Sequence, residues 1–260
     1  MSGRYPVHIV GAGPGDPELM TVKSVRLLQE ADVVVYAGSL VSPDVLAMLR
    51  PETERYDSAV MVLEEIVDVM VRAASSGRRV VRLASGDPGL FGALGEMARP
   101  LLDAGLEVEV VPGVSSFLAA AAALGRELTV PEVSQTVVLT RAEGRTPMPS
   151  TERLAELARH QATLVLFLSA NLAKQVQTDL LAAYPPDTPV AVVYHASWPD
   201  ERIVSGQLGD LAALIRGAGI TKTALIFVGR FLKAEGTRSR LYDAAFSHGY
   251  RRAIAPASAP

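Results

Sequence analysis

The stretch Val7 to Leu19, VHIVGAGPGDPEL, decides how this chain is read. It opens as an apolar β run, Val7 to Val10. It then breaks into Gly11, Gly13 and Gly15, with Pro14, Asp16 and Pro17 among them, before helical spacing starts near Leu19. Glycines directly after a first strand let a ligand reach main chain, because no Cβ intervenes. A turn without a ligand accounts for one or two of these glycines, but not readily for three together with two prolines. The pattern G-x-G-x-x-G is met at Gly11 and Gly13 and fails at Asp16. Pro14 and Pro17 have no N–H to offer a pyrophosphate, and the Asp16 carboxylate repels one. Asp32 stands near the spacing of a ribose-binding acid, about 20 residues on, so spacing alone misleads. The loop suits a ligand without phosphates better.

Composition sets the outer bounds. The 260 residues allow one large α/β domain or two of about 130 each. Apolar residues make up 49%, enough for a substantial core, and the formal charge is −3. That balance, with a pI near 5.9, argues against a nucleic-acid partner, whose backbone demands a basic face. The chain has no cysteine, which removes disulfides, thiolate metal sites and cysteine nucleophiles, and fits a reducing cytoplasm. Only Arg4 precedes a very short apolar run, which does not read as a signal peptide. No apolar run approaches the roughly 18 residues of a membrane helix. The expectation is a soluble cytoplasmic protein with no membrane partner.

In order along the chain, helical spacing from Val22 to Gln29 leads to a second apolar run, Val33 to Tyr36, and a shorter strand ends at Tyr56-Asp57-Ser58. Glu64 to Ala74 reads as an amphipathic helix closed by Gly77. Val80 to Leu83 is a buried strand running into Ser85-Gly86-Asp87-Pro88-Gly89-Leu90. A helix over Leu94 to Ala104 precedes a strand at Val108 to Val111, which ends in Pro112-Gly113-Val114-Ser115-Ser116. Strands alternating with helices imply a mostly parallel sheet with covered faces, and the loops after its strands share the carboxyl edge, where ligands bind. Turns of this kind use Gly, Pro and Asp anyway. That explains any one of the loops after Val10, Leu83 and Val111 better than it explains all three.

Phe117 to Leu124 reads as an alanine-rich helix whose start Ser115 or Ser116 can cap. Strands follow at Thr136 to Thr140, Thr163 to Ser169, Val190 to Tyr194 and Ala224 to Val228, with a weaker one at Ile203 to Gln207. Helices fit Thr151 to His160, Leu172 to Ala183 and Leu208 to Ala218. The reading is therefore two α/β domains with mostly parallel or mixed sheets. The first spans 1–124 and the second 125–252, with a boundary between Leu124 and Pro131; the tail 253–260 is expected to be disordered.

These residues resemble the tetrapyrrole (corrin and porphyrin) methylases. VGAGPGDPELMTVK, VVVYAGSLV, RLASGDPGLFG and VVPGVSS fall in that family's order and spacing, and the match covers about Val7 to Arg252. Ser85 departs from relatives that methylate uroporphyrinogen, which have a second glycine there. The stretches LGRELTVPEVSQTVVLTRAEGRTPMP, HQATLVLFLSA, YPPDTPVAVVYHASWPDERIV and SRLYDAAFSHGYR are similar to the branch that methylates C-11 of precorrin-4. The resemblance implies a homodimer that holds S-adenosylmethionine in a cleft between its domains. It carries cofactor contacts onto Pro14, Ser85, Gly86, Asp87, Leu90, Ser115, Ser116, Leu168 and Ala196. Pro14 and Leu90 suit apolar walls, Gly86 close main-chain approach, and Asp87 the methionine ammonium; core packing explains Leu168 equally well.

The implied chemistry moves a methyl group from a sulfonium to a ring carbon, so alignment and exclusion of water matter more than a nucleophile. Tetrapyrrole carboxylates call for cations, and Arg141 and Arg145 are the candidates, against an equal reading as surface charges. Tyr36, Asp57, Ser58 and the pair Ser197-Trp198 are further substrate candidates. Tyr36 and His195 are the candidates for a catalytic group, although a lone histidine is more often structural. The histidines show no metal-ligand spacing, so no metal is expected. Rival readings are the same reaction on cobalt-precorrin-4, another tetrapyrrole methylase, and an enzyme of this fold acting on ribosomal RNA or a modified histidine. From other classes come a nicotinamide oxidoreductase, suggested by Gly11-x-Gly13, and a silent binding protein.

Overall fold

The computed structural model describes residues 5–234 and 240–254. Most of the expected tail, residues 255–260, lies outside the described residues. The chain divides into two compact units, one running to Ala123 and including Val193–Arg202, the other made of Leu124–Val192 and the residues from Ile203 on.

The first unit is built on a five-stranded sheet: β1 (Val7–Gly11), β2 (Val33–Tyr36), β3 (Glu54–Asp57), β4 (Val80–Ala84) and β5 (Val108–Val111), in the order β3-β2-β4-β1-β5. Every recorded pairing in it is parallel. Its helices are α1 (Val22–Glu30), α2 (Pro43–Leu46), α3 (Leu63–Ser75), α4 (Leu94–Asp103) and α5 (Ser116–Ala123). Side chains alternate across the sheet, as the pleat requires. Val7, Ile9, Val33, Val35 and Val80 pack against Ile66, Met70 and Leu101 of α3 and α4. Val10, Val34, Val81 and Leu83 pack on the other face against Leu27 and Leu28 of α1. Burying a side chain such as Met70, Leu28 or Leu101, each fully enclosed, stabilises the fold by about 1.5–3 kcal/mol.

Local signals set the helix starts. Thr21 caps α1 by accepting the Ser24 N–H at 3.1 Å. At α3 the Glu65 carboxylate accepts the Val62 N–H at 3.0 Å; valine has no acceptor to return the bond. The short α2 was not anticipated. Its signal is Ser42-Pro43-Asp44, with the Ser42 hydroxyl accepting the Asp44 N–H and Pro43 in the first turn.

The second sheet is formed by β6 (Val137–Arg141), β7 (Thr163–Phe167), β8 (Pro189–Tyr194), β9 (Arg202–Gln207) and β10 (Ala224–Val228), in the order β6-β7-β10-β8-β9, and lies in the second unit except for Val193, Tyr194 and Arg202. The sheet is mixed, since β7 pairs parallel with β6 and antiparallel with β10. The unit's helices are α6 (Leu154–Ala158), α7 (Ala173–Leu180) and α8 (Leu211–Gly217), each shorter than its periodicity suggested. The expected helix over Thr151 to His160 breaks at Arg153, whose ψ of 142° is extended, leaving a 3-10 turn at Ser150–Glu152 before α6. No helix among the described residues is long and apolar enough to cross a membrane.

Asp32 lies just before β2, at the amino edge of the first sheet. Its carboxylate accepts the Arg79 main-chain N–H at 2.8 Å and bonds to the Arg79 and Arg50 guanidinium groups, each 3.2 Å from Oδ1. The Arg79 side chain is the main cause that holds this carboxyl below its usual range. A depressed folded pKa gives stability present above the unfolded value, near 4, and lost as the pH falls through the folded one. Asp32→Asn is therefore expected to cost about 1 kcal/mol at pH 7, discounted for partial exposure, with the gap to wild type narrowing as the pH falls below about 4. Urea denaturation at pH 7 and in acid checks this, and an equal gap in both contradicts it.

Candidate functional site

Strand order puts β1 between β4 and β5, so the loops after these strands lie side by side at one carboxyl edge. Their main chains make contact. The Ala12 N–H donates to the Ala84 carbonyl at 2.7 Å, and Gly13 and Gly86 exchange hydrogen bonds at 3.2 and 2.8 Å. Gly13 and Gly86 both have left-handed backbones, with φ of 71° and 63°. A Cβ on Gly11 would lie 2.6 Å from Gly113 Cα and 2.7 Å from the Gly86 carbonyl oxygen. A Cβ on Gly113 would meet the same oxygen and stand 2.9 Å from Gly11 Cα. Glycine is thus required at Gly11 and Gly113 by close approach.

Asp87 clips two of these loops together: Oδ2 accepts the Gly113 N–H at 2.9 Å and Oδ1 the Gly89 N–H at 2.8 Å. Buried Ser115 lies over Gly86, with its Cα 3.5 Å from where a Gly86 Cβ would be. Ser116 opens α5, and the Ser115 carbonyl accepts the Leu118 N–H. Ser85 and Leu90 are partly exposed on the same loop as Gly86 and Asp87.

The segment Val193–Arg202 braces the first loop. The Trp198 Nε1–H donates to the Pro14 carbonyl at 2.9 Å, and a Cβ on Gly15 would overlap the Trp198 ring. The Asp16 N–H donates to the Ser197 hydroxyl at 3.0 Å. Pro14 and Ala196 are buried here. His195 stacks on Tyr194 at 3.8 Å and leans on Trp198 at 4.6 Å, while its Nδ1 meets the Asp200 carboxylate at 2.8 Å. That bond is the main cause that holds the Asp200 carboxyl below its usual range. Every non-glycine residue of positive φ in this unit, among those described, lies in this segment or beside Gly92: Phe91, Ala93, His195 and Ser197. Such conformations cost about 1–3 kcal/mol each and gather where a site needs a fixed shape.

These bonds bear on what the loop can hold. The amides of Ala12, Gly13, Asp16 and Glu18 all donate within the protein, and Pro14 and Pro17 have none. Among the described residues that leaves Gly15 with the one uncommitted N–H of the loop, too few to cradle a diphosphate.

Tyr36, Asp57 and Ser58 meet at the ends of β2 and β3. Tyr36 pairs with Asp57, and the Ser58 hydroxyl donates to the Tyr36 carbonyl at 3.0 Å. Asp57 accepts the Gly38 and Ala59 N–H groups, both at 2.9 Å, and these bonds hold its carboxyl below the usual range. In the second unit, the Arg141 guanidinium donates to the carbonyls of Ala142, Thr146 and Pro147 at 3.3, 3.2 and 2.9 Å, so it braces its own loop. Arg145 is exposed on that loop. Leu168 follows β7 with φ of 54° and is 64% exposed, so core packing does not explain it. No cluster of three or more His, Cys, Asp or Glu side chains suited to a metal occurs among the described residues.

The sequence reading missed Gly113 as the partner of Gly11 and Gly86, and it missed the bracing role of Ser197 and Trp198. The glycine after β5 was a readable signal. The brace spans 184 positions and left none.

The family described as Tetrapyrrole (Corrin/Porphyrin) Methylases matches residues 6–212. A cobalt-precorrin-4 C(11)-methyltransferase of Methanocaldococcus jannaschii is 52% identical over 254 residues, covering 97% of this chain and 98% of that protein. A precorrin-4 C(11)-methyltransferase of Pseudomonas aeruginosa is 49% identical over 247 residues, covering 94% and 98%. The X-ray structure of a cobalt precorrin-4 methyltransferase, CbiF, aligns with a TM-score of 0.85 at 50% identity, over 88% of this chain and 96% of that one. Uroporphyrin-III C-methyl transferase from Thermus thermophilus, complexed with S-adenyl homocysteine, gives 0.75 at 34% identity, over 90% and 96%.

Asp87→Ala leaves the Gly113 and Gly89 amides without their acceptor and is expected to cost about 1–3 kcal/mol. Asp87→Asn keeps one acceptor and is expected to cost less. Urea denaturation of both variants checks this; wild-type stability in Asp87→Ala contradicts it.

Proposed function

The chain belongs to the tetrapyrrole (corrin and porphyrin) methylase family, and we propose that it transfers a methyl group from S-adenosylmethionine to C-11 of precorrin-4 in cobalamin biosynthesis. The observation that carries this reading is identity near one half across almost the full length of C-11 methylating relatives. Uroporphyrin methylases fall to 34–36%. Relatives named for the cobalt-bearing and the metal-free substrate are equally similar at 49%, so both forms of precorrin-4 stay within the proposal.

The residues of the carboxyl edge fit such a cofactor. Gly86, buried and with φ of 63°, brings main chain without a Cβ beside the hydroxyl-bearing Ser85, Ser115 and Ser116. Partly exposed Leu90 offers apolar surface, Pro14 is an apolar residue buried in the first loop, and buried Ala196 has a small side chain. Each Asp87 oxygen accepts one amide and keeps a lone pair for an ammonium group. When bound, the cofactor supplies an electrophilic methyl group on a sulfonium. The chain's part is to hold and orient the reactants and to keep water out.

Tyr36, Asp57 and Ser58 are proposed for the macrocycle, with Arg141 and Arg145 for its carboxylates. Of these, Arg145 has the freer guanidinium. Leu168 remains a proposed cofactor contact on resemblance. Tyr36 and His195 remain the candidates to touch the reacting ring; in His195, Nε2 is the nitrogen not already facing Asp200. The proposal extends to a cytoplasmic homodimer of two α/β domains without nucleic-acid or membrane partners. A nicotinamide reading is disfavoured by the committed loop amides and by Asp32, which pairs with arginines at the amino edge.

The test incubates the protein and S-adenosylmethionine with precorrin-4 and, separately, with cobalt-precorrin-4. The expected result is one added methyl group at C-11, located by NMR, on at least one of them. Methylation of uroporphyrinogen instead of either would overturn the reading.

A further inference from the structure

Arg82 stands where a charge is out of place. It is the third residue of β4, in the run Val80-Val81-Arg82-Leu83-Ala84. By the alternation of the strand it shares a face with Val80. Its neighbours in register are Ile9 on β1 and Val35 on β2, both buried in the apolar cluster on α3 and α4. The guanidinium Nη1 is buried and has no hydrogen-bond partner among the described residues. Burial pushes the group's pKa down, and no carboxylate acts to raise it.

The adjacent arginines behave differently: Arg78 pairs with Glu54 and Arg79 with Asp32. Arg50 and Arg251 also bury one nitrogen without a partner, but their other nitrogens bond to Asp32 or to main-chain carbonyls. An uncompensated buried charge is strongly disfavoured and persists where something other than stability selects it. Arg82 as a whole is only partly buried, so its head has an outlet.

Arg82 stands on the strand that leads directly into the proposed site. Ala84, whose carbonyl accepts the Ala12 N–H, lies two positions after Arg82, and Ser85 and Gly86 follow at once. Two strand residues span about 7 Å, within reach of an extended arginine. Both reactants of the proposed function carry carboxylates, one on the methionine end of the cofactor and several on a precorrin. A guanidinium matches a carboxylate through two parallel hydrogen bonds.

We propose that Arg82 is a carboxylate-binding residue of this site, its buried fork held against the apolar cluster to receive the carboxylate of a bound reactant. The inference rests on the methyltransferase reading and adds a specific anion contact to it.

The test compares wild type with Arg82→Met, which keeps the volume and removes the charge, and with Arg82→Lys, which keeps the charge and removes the fork. The melting temperature of Arg82→Met is expected to equal or exceed that of wild type, since an unpaired buried charge is gone. Calorimetry with S-adenosylhomocysteine and with 5′-methylthioadenosine, which lacks the amino-acid end, reads the source of the anion. A tenfold or greater loss for the first ligand alone supports the cofactor carboxylate. Unchanged affinity for both, with a tenfold or greater rise in KM for precorrin-4, supports the macrocycle carboxylate. Arg82→Lys is expected to show a smaller loss in the same quantity.

A melting temperature lowered by several degrees, or failure of Arg82→Met to fold, would mark a structural role and overturn the proposal. So would wild-type values of all three quantities. A wild-type protein that binds no S-adenosylhomocysteine would remove the methyltransferase reading itself, and this inference with it.

Discussion

The close approach of three main chains, at Gly11, Gly86 and Gly113, is the constraint on which the first unit's carboxyl edge depends. No Cβ fits at Gly11 or Gly113, so the loops after β1, β4 and β5 pack backbone to backbone. The strand order β4-β1-β5 brings these loops together, and an isolated antiparallel bridge between Gly13 and Gly86 joins two of them past the strand ends. Asp87 then ties the outer two loops, its Oδ2 accepting the Gly113 N–H while its Oδ1 holds Gly89 of its own loop. What results is a floor of main chain and small side chains, which suits a ligand recognised by shape and a few hydrogen bonds.

A floor of that kind has a cost, visible in the left-handed residues Phe91, Ala93, His195 and Ser197. The compensation is local. Trp198 and Ser197 hold the Pro14 carbonyl and the Asp16 amide, and the stack of Tyr194, His195 and Trp198 stiffens the segment that carries them. Arg202 lies over the Tyr194 ring at 4.7 Å and extends the stack. The same bonds use up amides that a diphosphate would need. Rigidity and ligand choice therefore come from one set of contacts.

Much of this was legible in the residues. Apolar runs and helical periodicity located the ten strands among the described residues to within a few residues, most readily where a strand is buried on both faces and so continuously apolar, as in β2 and β10. The failed fingerprint at Asp16 pointed away from a dinucleotide, and the structure supplies the reason that Asp32 misleads: it precedes β2 and pairs with arginines at the other edge. Pro43–Leu46 went unseen because four residues carry no period, although Ser42-Pro43 is a readable start. The break at Arg153 is set by backbone conformation, which periodicity does not report. Asp87 stands out in its loop by sequence, but its clip to Gly113 depends on β1 and β5 being neighbours. Arg82 interrupts an apolar run that was read simply as a buried strand; only pairing with Ile9 and Val35 shows the charge to be enclosed.

Whether these converging loops form the cofactor floor is read from amide hydrogen exchange with and without S-adenosylhomocysteine. Slowed exchange is expected at Gly11–Gly15, Ser85–Leu90 and Gly113–Ser116, with NADH producing no such change. Protection confined to other parts of the chain, or equal protection by NADH, would contradict it.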